Sequence, residues 1–165
     1  MRVNVGRLLV SLAALITGVA PILADWNDTH IFSRRWSPHA RFHGVTALVT
    51  TNLLAAMSLV LAWRRSVDRD AAMTVAALIP IAYWGPFFVA PLVPGTAIED
   101  RGNDVGRIAG VPVNLAGAGA TVITAALGWY LDRLWRRQQV PGEPQVRQAE
   151  EAGIPHAGRV GEVTS

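Results

Sequence analysis

From Ala71 to Ile98 the chain carries no formal charge. This is one of four apolar stretches, about 8–24, 44–63, 71–93 and 108–131, that reach or approach the roughly 20 residues a helix needs to cross a hydrocarbon core of about 30 Å. Apolar residues make up 51% of the sequence and come in long runs rather than in alternation, which sets the chain apart from an ordinary soluble domain. The expected fold class is all-α: an integral membrane four-helix bundle over residues 1–137, with spans at the four stretches. Residues 138–165 hold Pro141, Gly142, Pro144, Gly153, Pro155, Gly158 and Gly161 among polar residues. Too little apolar surface is available there to offset ordering entropy, so a disordered cytoplasmic tail is expected.

The first stretch is short and N-terminal, yet it lacks a good cleavage signal. Ile22 stands where a small residue is wanted before a cut after Ala24, and Pro21 follows Ala20. A retained helix is expected. All 15 basic residues are arginine and there is no cysteine. Lysine Schiff bases, thiol catalysis, disulfides and thiolate metal sites are thereby excluded. The sequence pI of about 10.5 does not point to nucleic acid, because the arginines cluster at span ends. Short connections imply antiparallel neighbours, so loops one and three share one face. Nine arginines on the side of the termini against five on the other place a multi-pass protein in the cell membrane with both termini cytoplasmic. Trp26, Trp63, Trp129 and Trp135 fall near span ends, where indole anchors at the headgroup level.

The chemistry-bearing residues concentrate in the first loop, Asp25-Trp26-Asn27-Asp28-Thr29-His30 and then Pro38-His39-Ala40-Arg41-Phe42-His43. Ser37-Pro38 reads as an N-cap followed by proline at the first helical position. His39 and His43 then lie one turn apart, and Thr46 and Thr50 continue the same stripe. A seam of this kind can carry a proton, a ligand headgroup or a metal, or can simply cap the helix at the interface. His-x-x-x-His alone is a weak metal signal, and no metal or cofactor is assigned. Acid–base chemistry asks for less: an imidazole and a carboxylate to orient it. The catalytic candidates are His39 and His43, with Asp25 and Asp28 as orienting acids; Glu99, Asp100 and Asp104 lie on the same face. His30, Arg41 and Thr46 are candidates for holding a polar head.

The third stretch contains Pro80, Pro86 and Pro91, so its hydrogen bonding must be interrupted and repaired by neighbours or water. Tyr83, Trp84 and Phe87 could line an aromatic cavity for a lipophilic ligand there, or could pack against other helices. In the fourth stretch Gly117, Thr121, Thr124 and Gly128 form a face of small residues, read as a packing surface. Asn114 inside that span needs partners from another helix or a ligand.

The motif Asp25-Trp26-Asn27-x-Thr29-His30 followed by Trp36-x-Pro38-His39-Ala40-Arg41-Phe42-His43 resembles a family of small uncharacterised four-span membrane proteins. That resemblance covers about residues 5–131 and implies architecture, not activity. The chain is also loosely similar to compact membrane isomerases and cyclases of sterols and terpenoids, but it has no acidic residue in the middle of a predicted span. The leading expectation is binding, and transformation by acid–base chemistry, of a small lipophilic substrate at an extracytoplasmic mouth. A non-enzymatic membrane scaffold, partnered by another membrane protein or by further copies of itself, is the alternative. A metal-dependent membrane oxidase is the third reading.

Overall fold

The protein is described by a computed structural model covering residues 4–99 and 105–139. Two units divide the chain, Met1–Trp135 and Arg136–Ser165. The first contains the elements that shape the site. In the second, the described residues are the helix end at Arg136 and Arg137 and a turn at Gln138 and Gln139. The rest of the expected tail, from residue 140, lies outside the described residues, as do Asp100 and Asp104.

Four long helices form: α1 (Val5–Asp25), α2 (Pro38–Trp63), α3 (Arg69–Trp84) and α4 (Val113–Arg137). Three segments, Val5–Asp25, Pro38–Trp63 and Arg69–Leu92, are long and apolar enough to cross a membrane, with mean hydropathies of 2.0, 1.9 and 1.7. Local chemistry sets their starts. Ser37 accepts from the Ala40 amide at 3.1 Å, and Pro38 opens α2 as the sequence predicted. Asp68 caps α3 through the Ala71 amide at 2.8 Å. At the other end of α2 the Arg69 guanidinium donates to the carbonyls of Leu61, Ala62 and Arg64, supplying donors and positive charge where helix carbonyls are left over.

The prolines of the third stretch are not equivalent. Pro80 is tolerated inside α3, whereas the regular helix ends at Trp84 and continues as the short 3₁₀ turns Gly85–Phe88 and Ala90–Leu92. The fourth stretch begins later than expected. Residues 107–112 form a small antiparallel hairpin, β1 (Arg107–Ile108) with β2 (Val111–Pro112), and α4 starts only at Val113. Both turn residues are left-handed, Ala109 at φ 49° and Gly110 at φ 82°, and an apolar run read by hydropathy alone hides such a turn.

Small residues dominate the contacts between helices. Ala13 and Ala14 of α1, Ala55 and Ala62 of α2, Ala72, Ala76 and Ala77 of α3 and Ala118 and Ala125 of α4 are all buried. Many larger residues, among them Leu23, Leu53, Val60 and Ile123, point outward. This is the distribution expected where lipid, not water, surrounds the helices. Buried polar bonds add register: Ser58 donates to the Ala76 carbonyl at 2.7 Å, and the Trp84 indole donates to the Thr17 hydroxyl at 2.9 Å. Trp63 and Trp129, read above as interface anchors, also tie helices together, to Ser11 at 2.8 Å and Thr74 at 3.0 Å.

Two glycines bring the backbones of α1 and α4 close together. A Cβ on Gly128 would lie 2.8 Å from the Val10 nitrogen and 2.9 Å from the Gly6 oxygen, and one on Gly6 would overlap the Asp132 backbone. Beside this crossing Asn4 caps α1 with its side-chain oxygen and donates through Nδ2 to Asp132 at 2.7 Å. Asp132 is fully buried. The sequence reading ended its fourth span just before this carboxylate.

Candidate functional site

Lined by residues from the last turns of α1, the end of α3, the first half of α4, and by Thr29, His30, Ala97, Ile98, Glu99 and Val105 lies a cavity of about 760 Å³. Pro21 in α1 leaves the Thr17 carbonyl without the usual amide four residues on. On the facing side the regular α3 stops at Trp84. The wall from α4 is made by Asn114, Gly117, Thr121 and Thr124. Among the described residues, no atom outside its own stretch of helix lies within 4 Å of where a Gly117 Cβ would be. The small-residue face expected to be a packing surface is thus divided: Gly128 packs, whereas Gly117 opens onto empty space.

Tyr83, Trp84 and Phe87 line the cavity together. Trp84 is edge-on to Tyr83 at 4.9 Å and tilted against Phe87 at 4.9 Å. Polar residues line the cavity as well: Asp25, Thr29, His30, Glu99 and Asn114. Asp25 ends α1, and its Oδ1 lies 3.8 Å from His30 Nε2. Glu99 Oε1 takes a 2.5 Å bond from Arg107, which is not itself a lining residue, and Oε2 is buried without a partner among the described residues.

The first-loop motif has a physical basis centred on Asn27. Its Nδ2 donates to the Ala24 carbonyl at the end of α1 at 2.7 Å. Its Oδ1 accepts from the Thr29 amide at 2.9 Å, the Thr29 hydroxyl at 2.6 Å and the His30 amide at 3.2 Å. With the Thr29 proton committed to Asn27, the 2.8 Å contact between Thr29 Oγ1 and His30 Nδ1 is a donation from Nδ1. The neutral imidazole therefore carries its lone pair on Nε2, the nitrogen beside Asp25. Arg41 closes the loop by donating to the carbonyls of Ile31 at 2.8 Å and Ser33 at 3.2 Å. Gly44 lets the Trp36 ring and Ile31 sit against α2, since a Cβ there would meet them at 2.7 and 2.8 Å.

The site residues predicted from sequence separate into two groups. Asp25, His30, Tyr83, Trp84, Phe87 and Asn114 come together at the cavity. His39, His43, Asp28, Arg41 and Thr46 are not among its lining residues. His39 and His43 are exposed on α2 with their Nε2 atoms 3.1 Å apart, and the His39 ring stacks parallel to Phe42. Asp28 is exposed, Arg41 is spent on the loop, and Thr46 donates to the Phe42 carbonyl at 2.9 Å. Asn114 finds partners within the protein: Nδ2 donates to the Ile98 carbonyl at 3.0 Å and Oδ1 accepts from the Leu115 amide at 2.9 Å. Ala20, Pro21 and Val105 were not singled out from sequence. A proline near the end of an otherwise regular apolar span was the available signal. No group of three or more metal-ligating side chains occurs among the described residues.

These features define a helical protein with three segments fit to cross a membrane and a cavity lined by both aromatic and polar side chains. Residues 9–140 match a family of unknown function, DUF6640, and the chain belongs to that family. No curated protein and no solved structure matches it.

Proposed function

We propose that the protein is an integral membrane four-helix bundle, with both termini cytoplasmic, that takes a small lipophilic molecule into the cavity beside α1, α3 and α4. The carrying observation is the cavity itself, in which the aromatic wall of Tyr83, Trp84 and Phe87 adjoins the polar group of Asp25, His30 and Glu99. Its size falls within the range of pockets that enclose a drug-sized ligand. The apolar body of the ligand lies against the aromatic rings and its head against the first loop. The chemistry proposed there is proton transfer. His30 Nε2 is the base, held in one tautomer by the chain from Asn27 through Thr29, and the Asp25 carboxylate stabilises the imidazolium that results. This moves the acid–base role from His39 and His43 to His30.

Native mass spectrometry of the detergent-purified protein tests the proposal. Wild type should carry a lipophilic adduct, Gly117→Phe should lose it by filling the cavity, and the His39→Ala/His43→Ala double variant should retain it. An adduct kept by Gly117→Phe and lost by the double histidine variant would return the site to the α2 histidines. A wild type without any adduct, even after incubation with a membrane lipid extract, would favour the partner-recruiting scaffold.

A further inference from the structure

Two histidines that the cavity does not use stand side by side on the first turns of α2. His39 and His43 are exposed and one helical turn apart, with their Nε2 atoms 3.1 Å from each other. A shared proton accounts for that distance in a pair of neutral rings, and the same distance fits a chelate. With metal–nitrogen bonds of about 2.0–2.1 Å, nitrogens so spaced subtend about 100° at the ion, between the square-planar and tetrahedral values. The ring centres give an independent check. Behind such a chelate they would stand about 4.8 Å apart, against about 5.4 Å for rings aimed straight at each other. They are 4.5 Å apart, with the planes turned by 81°. Phe42 braces both rings, parallel to His39 at 6.4 Å and edge-on to His43 at 5.6 Å. Neither Nδ1 has a partner among the described residues, so each ring is free to carry its proton there and to offer the Nε2 lone pair. Arg41, the cation nearest in the chain, is engaged by the Ile31 and Ser33 carbonyls.

We propose that His39 and His43 form a two-imidazole site for a late first-row divalent ion, Cu²⁺ most tightly, with water in the remaining positions. The donor set selects the class. Imidazole suits copper, nickel and zinc, whereas magnesium and calcium want carboxylates, and no third ligating side chain joins the pair among the described residues. On binding, the ion gives up two waters, and the proton on one Nε2 passes through solvent to the Nδ1 of the same ring. Closed structural sites take four protein ligands. Two ligands on an exposed helix make an exchangeable site instead. Neither histidine lines the cavity, so this site stands whether or not the cavity takes a ligand.

The test titrates Cu²⁺ alone into the detergent-purified full-length protein, prepared without a histidine tag and in a non-coordinating buffer. Calorimetry reads the affinity, and pulsed electron paramagnetic resonance counts the imidazoles on the ion. Wild type should bind one Cu²⁺ through two imidazoles, and a large excess of Mg²⁺ should not compete. His39→Ala and His43→Ala should each weaken binding about tenfold or more and lower the imidazole count to one, since loss of even an outer-shell partner costs that much. A His39→Ala/His43→Ala double variant that binds Cu²⁺ as tightly as wild type would overturn the proposal by placing the ion elsewhere. A wild type that binds no Cu²⁺, or binds it through a single imidazole, would overturn it too. The imidazole count is made on wild type, so it does not depend on any variant folding.

Discussion

The two ends of the α1–α4 pair use similar residues for opposite purposes. At one end Gly6 and Gly128 bring the backbones into contact, and the buried Asp132 carboxylate accepts from Asn4 with Arg7 Nε 3.9 Å from the same oxygen. At the other, Gly117 and Ala20 line a cavity together with Asp25, His30 and Glu99. Glycine, a carboxylate and a polar partner occur in both. The difference lies in what the backbone does around them. Near Gly128 both helices are regular, so the small residues are consumed in packing. Near Gly117, Pro21 interrupts the hydrogen bonding of α1 and α3 gives way to 3₁₀ turns, so the same small residues leave a void. A small-residue stripe becomes an interface or a pocket according to the regularity of its neighbour.

The contrast can be broken from the closed end first. Gly128→Leu should be the most damaging change, at or beyond the upper end of the ~1–3 kcal/mol that overpacking costs, because backbone rather than side chain stands in its way. Thermal unfolding in detergent would register it as a loss of folded, monodisperse protein. Asp132→Ala comes next. It strands the buried Asn4 Nδ2, at a cost of about 1–3 kcal/mol in the same assay, with cavity binding retained by whatever folds. Trp84→Phe removes the bond to Thr17 and should cost roughly 1 kcal/mol. Unlike the first two, it should also weaken ligand binding, and a stability loss without a binding loss would detach Trp84 from the cavity's role. Gly117→Ala is predicted to stabilise by up to about 1 kcal/mol, since it meets nothing and gains helix propensity. A marked destabilisation by this change would mean that Gly117 packs after all. The smallest effect belongs to His39→Ala/His43→Ala, within about 0.5 kcal/mol of wild type and with the bound ligand unchanged.

The helices were legible because hydropathy over roughly 20 residues is a strong signal, and the start of α2 was legible because Ser37-Pro38 has a definite stereochemical meaning. The aromatic wall was legible as a possibility, since three prolines in one apolar stretch announce irregular backbone. What the sequence did not separate was the first loop. His30, His39 and His43 are close in the chain and chemically alike, but the loop turned by Asn27 and fastened by Arg41 directs His30 to the cavity, while α2 carries the other two outward. Periodicity places residues on a face of one helix and does not say what that face meets. The Gly6–Gly128 crossing and its buried Asp132 were missed for a related reason. Each half of that contact is unremarkable alone, and the two halves are more than a hundred residues apart.

Six tryptophans distributed over the chain offer the most direct measurement. The protein would be labelled with 5-fluorotryptophan, Trp84 assigned from the Trp84→Phe variant, and ¹⁹F spectra recorded while dodecylamine, dodecanol or dodecanoate is added. If the cavity receives a lipophilic ligand, at least one probe should shift the Trp84 resonance saturably while Trp63 and Trp129, which bond to Ser11 and Thr74, stay in place. A Trp84 resonance unmoved by all three would contradict the account.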